Sequence, residues 1–306
     1  MITLRGLTKR YGEKTVVDDL TFSVPPGRVT GFLGPNGAGK STTMRMTLGL
    51  DAPHAGEVLI DGKRYAELRH PLREVGALLE AKALHPGRSA GKHLLAMARS
   101  NGIPARRVDE VLATVGLTDV AGKRAGQFSL GMGQRLGIAG ALLGDPGVLM
   151  FDEPVNGLDP DGVRWGRQLM RSLAEEGRTV FVSSHLMSEM QLTADRLVVI
   201  GKGKLLADAT IDEFIAANSR STVAVRVPVP AELRKLADRL REEGVTAQVT
   251  SAAELIAHDV TVGTVGDLAH ELGVRLHGLA ERTASLEQAY MELTASSVEY
   301  GTGVAA

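Results

Sequence analysis

The segment that most constrains this chain is a glycine-rich stretch at residues 34–42, which reads GPNGAGKST. It matches G-x-x-x-x-G-K-[ST], the pattern of a phosphate-binding loop. Gly34, Gly37 and Gly39 allow tight backbone turns that aim successive N–H groups at one anion. Lys40 adds a positive charge for the β- and γ-phosphates, and Ser41 is suited to ligate Mg²⁺. The sequence therefore predicts that the protein binds a nucleoside triphosphate.

The residues on both sides of this loop have the pattern that such a loop requires. Residues 28–33, RVTGFL, predict a short buried strand, and residues 41–48, STTMRMTL, predict a helix. The positive end of that helix would face the phosphates. This context favours a nucleotide site over an ordinary glycine-rich turn. We expect the rest of the loop to contact the nucleotide too, through Asn36, Ala38 and Thr42.

Length and composition limit the possible classes of protein. A chain of 306 residues, 43% of them apolar, is long enough for two domains. A formal net charge of −1 argues against a nucleic-acid binder that relies on a basic surface. The absence of cysteine excludes disulfides, thiol catalysis and thiolate metal sites, and it suits a reducing compartment. The chain has neither a signal-peptide core at its N-terminus nor an apolar run of about 18 residues. We therefore expect a cytosolic protein, or one attached to a membrane through something else.

The order of patterns along the chain predicts an α/β fold. A small β-layer comes before the loop, with short strands at residues 15–17 and 20–24, and residues 86–145 are helical in character. Alternation of strands and helices then resumes after residue 147, which predicts a parallel sheet covered by helices. The elements of this part are predicted at residues 148–151, 163–176, 179–182 and 197–200.

A second motif follows the predicted strand at residues 148–151. This strand ends in Asp152 and Glu153, at the carboxyl end where open α/β sheets bind ligands. Asp152 is suited to hold Mg²⁺, and Glu153 to orient or deprotonate an attacking water. An apolar run followed by Asp-Glu is often only the solvated end of a strand. Its place downstream of a phosphate-binding loop favours the functional interpretation.

With these two motifs the chain resembles the nucleotide-binding subunit of an ATP-binding cassette (ABC) transporter. Residues 128–135, FSLGMGQR, are similar to the cassette signature L-S-G-G-Q-x-Q-R, and residues 156–159, NGLD, to the loop after the catalytic glutamate. His185 falls where that family has its switch histidine, and Tyr11 where an aromatic ring stacks on adenine. The resemblance covers residues 1–215.

This resemblance implies a P-loop cassette with an N-terminal β-layer and a helical subdomain at about residues 86–145. It implies a Mg²⁺-dependent ATPase in which Glu153 and His185 are catalytic. It also implies a head-to-tail homodimer, in which Ser129 and Gly131 grip the γ-phosphate bound by the opposing subunit. Each of these residues has a simpler interpretation as well: Ser129 as a helix N-cap, His185 as an ordinary surface or core residue, and Tyr11 as a half-exposed packing residue.

The sequence departs from the family pattern at three positions. Leu130 replaces the first glycine of the signature and Met132 its first glutamine. Glu80 falls after the predicted strand at residues 75–79, where most members have a glutamine that links Mg²⁺ and water to the membrane partner. A carboxylate there adds negative charge beside the metal, so Glu80 joins Ser41 and Asp152 as a candidate metal residue. These departures are similar to the cassettes of drug and antibiotic exporters, including bacitracin and lantibiotic systems.

The residues after 215 predict a separate, small α+β domain. Residues 222–227 alternate like a strand, residues 233–240 repeat leucine and alanine at helical spacing, and residues 245–249 alternate again. Near the end, Ser285 and Gln288 form a capping-box pattern before a helical apolar stripe. We interpret residues 216–306 as an accessory or dimerisation domain.

The sequence thus predicts an ATPase that powers a separately encoded membrane permease of the exporter type. We expect this permease to hold the ATPase at the inner face of the cell membrane. One alternative is a soluble cassette protein with a non-transport partner, but such proteins usually join two cassettes or carry a long coiled coil. Another is a small-molecule phosphotransferase, which would need an acceptor pocket that the sequence does not indicate. The cargo cannot be inferred, because the permease selects it.

Overall fold

The structure is a computed structural model that describes residues 1–80, 85–218, 222–282 and 285–294. The chain forms two compact units, Met1–Ile211 and Asp212–Leu293. The boundary predicted between residues 215 and 216 falls inside a helix that begins at Ile211 and ends at Asn218. The predicted domain ranges remain a prediction, and residues 295–306 lie outside the described residues.

The first unit contains both strands and helices. Its described part contains nine strands: β1 (Ile2–Tyr11), β2 (Lys14–Val24), β3 (Arg28–Leu33), β4 (Ala55–Ile60), β5 (Val75–Leu78), β6 (Val148–Asp152), β7 (Thr179–Ser183), β8 (Arg196–Gly201) and β9 (Lys204–Thr210). The same part contains seven α-helices: α1 (Lys40–Thr47), α2 (Pro71–Glu74), α3 (Ala90–Ser100), α4 (Arg106–Thr114), α5 (Leu130–Leu142), α6 (Pro160–Glu175) and α7 (Met187–Thr193).

A six-stranded sheet in the order β5-β6-β7-β3-β8-β9 forms the centre of this unit. Its neighbouring strands are parallel except β8 and β9, which are antiparallel. The predicted α/β class with a parallel sheet is confirmed. Because parallel strands end at the same edge, the residues that follow β3, β6 and β7 lie close together. The register brings Asp152 opposite Ser183, and Phe32 of β3 is paired with Ser183 from the other side.

A second, antiparallel sheet has the order β2-β1-β4. The sequence predicted two short strands at residues 15–17 and 20–24, but β2 is one strand of 11 residues. Asp19 has a φ of 52°, and β2 contains one residue more than β1 between the pairs Leu7–Leu20 and Lys9–Val17. Such a bulge interrupts the alternation of side chains without ending the strand. The prediction of two strands was therefore wrong.

Three buried phenylalanines pack the two sheets together. Phe22 belongs to the antiparallel sheet, and Phe32 and Phe181 belong to the parallel sheet. The ring centroids are 5.7 Å apart for Phe22 and Phe32 and 5.0 Å apart for Phe32 and Phe181. Buried aromatic pairs at such distances stabilise a core beyond the area that they bury.

The predicted helical stretch at residues 86–145 contains α3, α4 and α5. Asn101 is the C-cap of α3, and the chain turns at Gly102, which has a φ of 63°. Helix α5 packs so closely on β5 that a Cβ on Gly137 would lie 2.6 Å from Leu78 Cδ1. This packing fixes the helix whose first residues carry the signature motif.

The second unit follows the order β-α-β-β-α-β. Its described part contains β10 (Thr222–Arg226), α9 (Pro230–Glu242), β11 (Ala247–Ser251), β12 (Glu254–His258), α10 (Val262–Glu271) and β13 (Gly278–Arg282), flanked by α8 (Ile211–Asn218) and α11 (Leu286–Thr294). The strands form one antiparallel sheet in the order β11-β12-β10-β13. The predicted α+β character is confirmed.

The helices of this unit bury the apolar positions that the sequence indicated. Leu233, Leu236 and Leu240 of α9 are at most 1% exposed and belong to the core of this unit. Ser285 accepts a hydrogen bond from the Gln288 N–H at 3.2 Å, as expected of a cap for α11. None of the helices in the described ranges combines the length and the apolar character needed to span a membrane.

Candidate active site

The phosphate-binding loop connects β3 to α1, as predicted. Gly37 and Gly39 have φ angles of 80° and 106°, which favour glycine. A Cβ on Gly34 would lie 2.6 Å from the Ile200 carbonyl oxygen, so only glycine allows the two backbone segments to come this close. Gly39 is the N-cap of α1 and offers no side-chain acceptor to the first helical N–H groups. These N–H groups therefore remain suited to an anion.

The other loop residues have different environments. Asn36 is exposed, and Thr42 is half-buried in the first turn of α1. Ala38 is buried, and its N–H donates to the Pro35 carbonyl oxygen at 3.1 Å. That hydrogen bond makes Ala38 part of the turn that shapes the loop.

Lys40 is held inside the loop by backbone carbonyl groups. Its ammonium group donates to the carbonyl oxygens of Gly34 at 2.6 Å and of Pro35 at 3.3 Å. Burial lowers the pKa of Lys40 below its ordinary value of 10.5, while the negative charges of Glu153 and Asp152 act in the opposite direction. A triphosphate in the loop would supply the anion that this partly desolvated cation lacks.

Ser41 and Asp152 come together although they are far apart in the sequence. The Ser41 hydroxyl donates to Asp152 Oδ2 at 2.9 Å, and the Ser183 hydroxyl donates to Asp152 Oδ1. A serine hydroxyl and a carboxylate beside a phosphate-binding loop are oxygen ligands of the type that Mg²⁺ prefers. In the part of the chain that the structure describes, no group of three or more His, Asp or Glu side chains is arranged to hold a metal. Ser41 and Asp152 offer two oxygen atoms, and phosphate oxygens are ligands of the same type.

Glu153 follows Asp152 with an unusual backbone conformation. Its φ is 51°, which is uncommon for a residue with a side chain. Its N–H donates to the hydroxyl of Ser183 at 3.1 Å and to the Ser183 carbonyl oxygen at 3.2 Å. Its own carbonyl oxygen accepts a hydrogen bond from the side-chain amide of Gln134 at 2.8 Å. Hydrogen bonds on both sides of the residue hold this strained conformation and direct the carboxylate.

His185 contacts the carboxylate of Glu153. The distance between His185 Nδ1 and Glu153 Oε2 is 2.7 Å, and the two side chains are 53% and 26% exposed. Both groups are therefore within reach of solvent, as a group that acts on water must be. The sequence predicted a role for each residue, and the structure brings the two together.

The signature residues lie at the start of α5. Ser129 is the N-cap, and its hydroxyl accepts a hydrogen bond from the Met132 N–H at 3.2 Å. Ser129 is therefore a helix cap, as the simpler interpretation predicted. It is also exposed. Gly131 faces the loop after Glu153, since a Cβ on it would lie 3.3 Å from Leu158 Cδ2.

Leu130, which replaces a signature glycine, is 52% exposed. Its side chain fills the space that a Cβ on Gly157 would need, and Gly157 has a φ of 75°. The substitution therefore adds a contact between α5 and the loop at residues 156–159.

Tyr11 and Glu80 are both exposed, but they lie in different places. Tyr11 ends β1 with 49% of its surface exposed. Glu80 follows β5 and lines a groove of about 620 Å³ whose wall also includes Ser41 and Asp152. Arg45 and His93 line the same groove, which is otherwise largely apolar.

Comparisons with known proteins agree with this geometry. A family model described as ABC transporter matches residues 17–156, and one described as Domain of unknown function (DUF8746) matches residues 221–287. The chain is 39% identical over 303 residues to the uncharacterized ABC transporter ATP-binding protein YhcH of Bacillus subtilis (strain 168), a match that covers 98% of this chain and 97% of that protein. The chain belongs to the family of ABC transporter ATP-binding proteins.

This ABC protein has other relatives with more specific names. It is 43% identical over 223 residues to the bacitracin transport ATP-binding protein BcrA of Bacillus licheniformis, which covers 72% of this chain and 73% of that protein. It is 36% identical over 212 residues to the lantibiotic transport ATP-binding protein SrtF of Streptococcus pyogenes, which covers 69% of this chain and 92% of that protein. The resemblance to the antibiotic exporter branch is confirmed.

Solved structures support the cassette fold. An ATP-binding subunit of an ABC transporter has a TM-score of 0.65 and 28% identity, covering 71% of this chain and 92% of that chain. The dimeric structure of a bacterial ABC transporter cassette has a TM-score of 0.63 and 27% identity, covering 69% of this chain and 98% of that chain. The predicted P-loop cassette is confirmed, and the protein is an ABC-type ATPase that binds and hydrolyses ATP.

Two residues of this ABC cassette were not predicted as site residues, although they hold Glu153 and Asp152. Gln134 is a buried polar residue of α5, 4% exposed, and its place in the signature motif is a signal that could have indicated it. Ser183 is fully buried at the end of β7. Its signal was weaker, because only the pairing of β6 with β7 brings it to Asp152.

Proposed function

We propose that this ABC ATPase is Mg²⁺-dependent and powers a separate membrane permease that exports a drug, an antibiotic peptide or a lipid-like cargo. The main observation behind the proposal is that Ser41, Asp152, Glu153 and His185 lie at one edge of the parallel sheet beside the phosphate-binding loop. The names of the bacitracin and lantibiotic relatives support the export of an antibiotic-type cargo.

In this proposal the loop and α1 bind the triphosphate. The N–H groups of Gly37 and Gly39 and the start of α1 face the phosphates, and Lys40 turns from the Gly34 and Pro35 carbonyl oxygens to the anion. Ser41 and Asp152 hold Mg²⁺, which would neutralise charge on the β- and γ-phosphates. Their 2.9 Å hydrogen bond shows that the two oxygens are close enough to bind one ion.

Glu153 is the group that orients and deprotonates the attacking water. Its carboxylate is partly exposed, and its backbone is fixed by Gln134 and Ser183. His185 holds the carboxylate through Nδ1 at 2.7 Å, and its other ring nitrogen would contact the nucleotide. A fixed carboxylate loses little entropy when the water binds, which favours catalysis by positioning.

The proposal includes a head-to-tail dimer of two cassettes. Ser129 and Gly131 lie at the N-terminal end of α5, and Ser129 is exposed, so this end can approach a γ-phosphate bound to a second copy. The exposed side chain of Leu130 adds an apolar surface at the same place. The dimeric form of a similar cassette supports this arrangement.

The permease would contact the cassette near Glu80 and hold it at the cytoplasmic face of the membrane. Glu80 lines the groove that Ser41 and Asp152 also reach, so a partner in this groove could affect the metal site. A carboxylate at this position interacts with Mg²⁺ more strongly than an amide would.

Coexpression with a candidate permease, a six-span membrane protein whose gene lies next to that of this chain, would test the function. We expect the two proteins to copurify from membranes, and in liposomes we expect the permease to stimulate an ATPase activity that requires Mg²⁺. Glu153→Gln in the same complex serves as the inactive control. A chain that is found with ribosomes and ignores the membrane protein would contradict the transport function and favour a soluble cassette.

A further inference from the structure

The hydroxyl group of Tyr11 is held by a carboxylate from another part of the chain. It donates to Asp51 Oδ2 at 3.2 Å, and the two residues are separated by 40 positions. Tyr11 is at the end of β1, next to the turn into β2. The ring therefore has a fixed tip although 49% of its surface is exposed.

Asp51 is itself held by α1, the helix that begins in the phosphate-binding loop. Arg45 of α1 donates to Asp51 Oδ2 at 2.7 Å through Nε and to Asp51 Oδ1 at 3.3 Å through Nη2. The hydrogen bond from Arg45 lowers the pKa of the Asp51 carboxyl, which therefore stays ionised at neutral pH. Such a bidentate pair fixes the orientation of the carboxylate as well as its position.

The local sequence explains why Asp51 returns to Arg45. Gly49 ends α1 with a φ of 65°, and the Leu50 N–H donates to the Arg45 carbonyl oxygen at 2.9 Å. This glycine-based helix ending turns the chain back along α1. Asp51 thereby comes within hydrogen-bond distance of both Arg45 and Tyr11, which donate to the same oxygen, Oδ2.

Lys9 covers one face of the Tyr11 ring. Its Nζ lies 5.2 Å from the ring centroid and donates to the Ala52 carbonyl oxygen at 2.6 Å. Asp51 thus holds the hydroxyl end of the ring. Lys9, which is bound to the Ala52 carbonyl oxygen, covers one face. A flat apolar ligand has the opposite face of the ring to stack on.

The phosphate-binding loop lies next to the same hairpin. The carbonyl oxygen of Val16 in β2 approaches Gly39 so closely that a Cβ on Gly39 would lie 2.6 Å from it. Tyr11 pairs with Lys14 at the end of this hairpin. The ring and the loop are therefore joined twice, through the hairpin and through the chain of contacts from Tyr11 to Asp51 to Arg45.

We infer that Asp51 is a positioning residue for the nucleotide base: together with Arg45 it fixes the Tyr11 ring relative to the phosphate-binding loop, so that the base stacks while the phosphates are bound. This inference rests on the proposed function as an ATPase and on the adenine contact that the family resemblance implies for Tyr11. Asp51 has no contact with the nucleotide itself. Its effect is to keep two binding surfaces at a set separation.

Comparison of ATP with inorganic tripolyphosphate tests the inference, because tripolyphosphate has no base. In Asp51→Asn we expect the Kd for Mg-ATP to rise about three- to tenfold, which corresponds to the net contribution of one typical hydrogen bond. The Kd for Mg-tripolyphosphate should stay the same or fall slightly, since the variant removes a negative charge near an anion. The KM for ATP should rise by the same factor as Kd, with little change in kcat.

Four further variants complete the experiment. Tyr11→Ala removes the ring and gives the largest selective loss of ATP affinity. Tyr11→Phe removes only the hydroxyl and should match Asp51→Asn, and adding Asp51→Asn to Tyr11→Phe should cause no further loss. Asp109→Asn, the same charge change at an exposed position of α4, should leave both ligands unaffected.

Any other result contradicts a specific part of this inference. If Tyr11→Ala is selective for ATP but Asp51→Asn is not, Tyr11 binds the base and Asp51 has no positioning role. If Asp51→Asn raises the Kd for ATP and for tripolyphosphate equally, the role of Asp51 is structural. If the variant strengthens ATP binding, the contact with Asp51 holds Tyr11 in a position that does not favour stacking on the base. Absence of ATP binding in the unmodified protein would instead contradict the proposed function.

Discussion

The side-chain amide of Gln134 donates a 2.8 Å hydrogen bond to the backbone carbonyl oxygen of Glu153. The contact links the buried part of α5 to the residue after β6, whose φ of 51° is unfavourable for a glutamate. Helix α5 also begins with the signature motif. The same helix therefore presents Ser129 at its exposed end and holds the proposed catalytic carboxylate from its buried side.

Gln134→Ala tests the value of this contact. The contact is partly buried. Leaving a fully buried carbonyl group unpaired costs about 1–3 kcal/mol, and each 1.4 kcal/mol in the barrier is about tenfold in rate. We expect kcat to fall about tenfold with little change in the KM for ATP, because the phosphate-binding loop is not altered. Gln168→Ala, which removes an exposed glutamine of α6, is the control. A rise in KM at constant kcat would show that Gln134 acts on binding instead.

Glu153→Gln should remove water activation while it preserves the size of the side chain. General base catalysis contributes about 10²- to 10⁴-fold, so kcat should fall by at least the lower value. ATP should remain bound, and size-exclusion chromatography with Mg-ATP should show a stable dimer. Glu175→Gln at the exposed end of α6 should hydrolyse ATP normally. A hydrolysis rate near that of the unmodified protein would show that Glu153 is not the general base.

Ser129→Arg should prevent ATP-driven dimerisation and turnover, while the ATP affinity of the monomer stays nearly the same. The variant also removes the cap of α5, which costs about 1 kcal/mol of stability. Ser129→Asp separates the two effects, because aspartate caps the helix but repels a γ-phosphate. We expect both variants to be inactive, and thermal unfolding should show a stable fold for Ser129→Asp. Normal hydrolysis by either variant would contradict the shared site.

Glu80→Gln should weaken the Mg²⁺ dependence of hydrolysis and reduce stimulation by the permease, because an amide interacts less strongly with the metal. ATP affinity should stay close to normal, since Lys40 and Tyr11 are unchanged. The measurement is the ATPase rate across a Mg²⁺ titration, with and without the reconstituted permease. Superimposable curves for the variant and the unmodified protein would leave Glu80 as an ordinary surface residue.

ATP binding should be coupled to proton uptake by Lys40 at alkaline pH. Burial lowers the pKa of Lys40 in the free protein, so part of the population is neutral at a pH below 10.5. The triphosphate raises this pKa, and between the two values binding therefore takes up a proton. ATP affinity should fall as the pH rises through this window. Calorimetry in two buffers of different ionisation enthalpy measures the proton; an identical binding heat in both would disprove the coupling.

The sequence by itself was sufficient for the phosphate-binding loop, because the loop is a local structure. Its geometry depends on glycines at positive φ between adjacent elements, and β3 and α1 lie within one residue of the predicted bounds. Asp152 at the end of a buried strand was predicted for the same reason. Local signals also gave the α+β character of the second unit. They failed at β2, where the bulge at Asp19 made one strand look like two.

Only the tertiary structure decided which side chains meet at the site. Ser183 contacts Asp152 because β7 pairs with β6, and the order of strands in a sheet cannot be derived from the strands alone. The contact of Gln134 with Glu153 depends on how α5 packs, and the contact of Tyr11 with Asp51 depends on where α1 ends. These contacts join residues distant in sequence, so no local pattern specifies them. The sequence determined the chemistry that is available, and the packing of the chain determined which groups can act together.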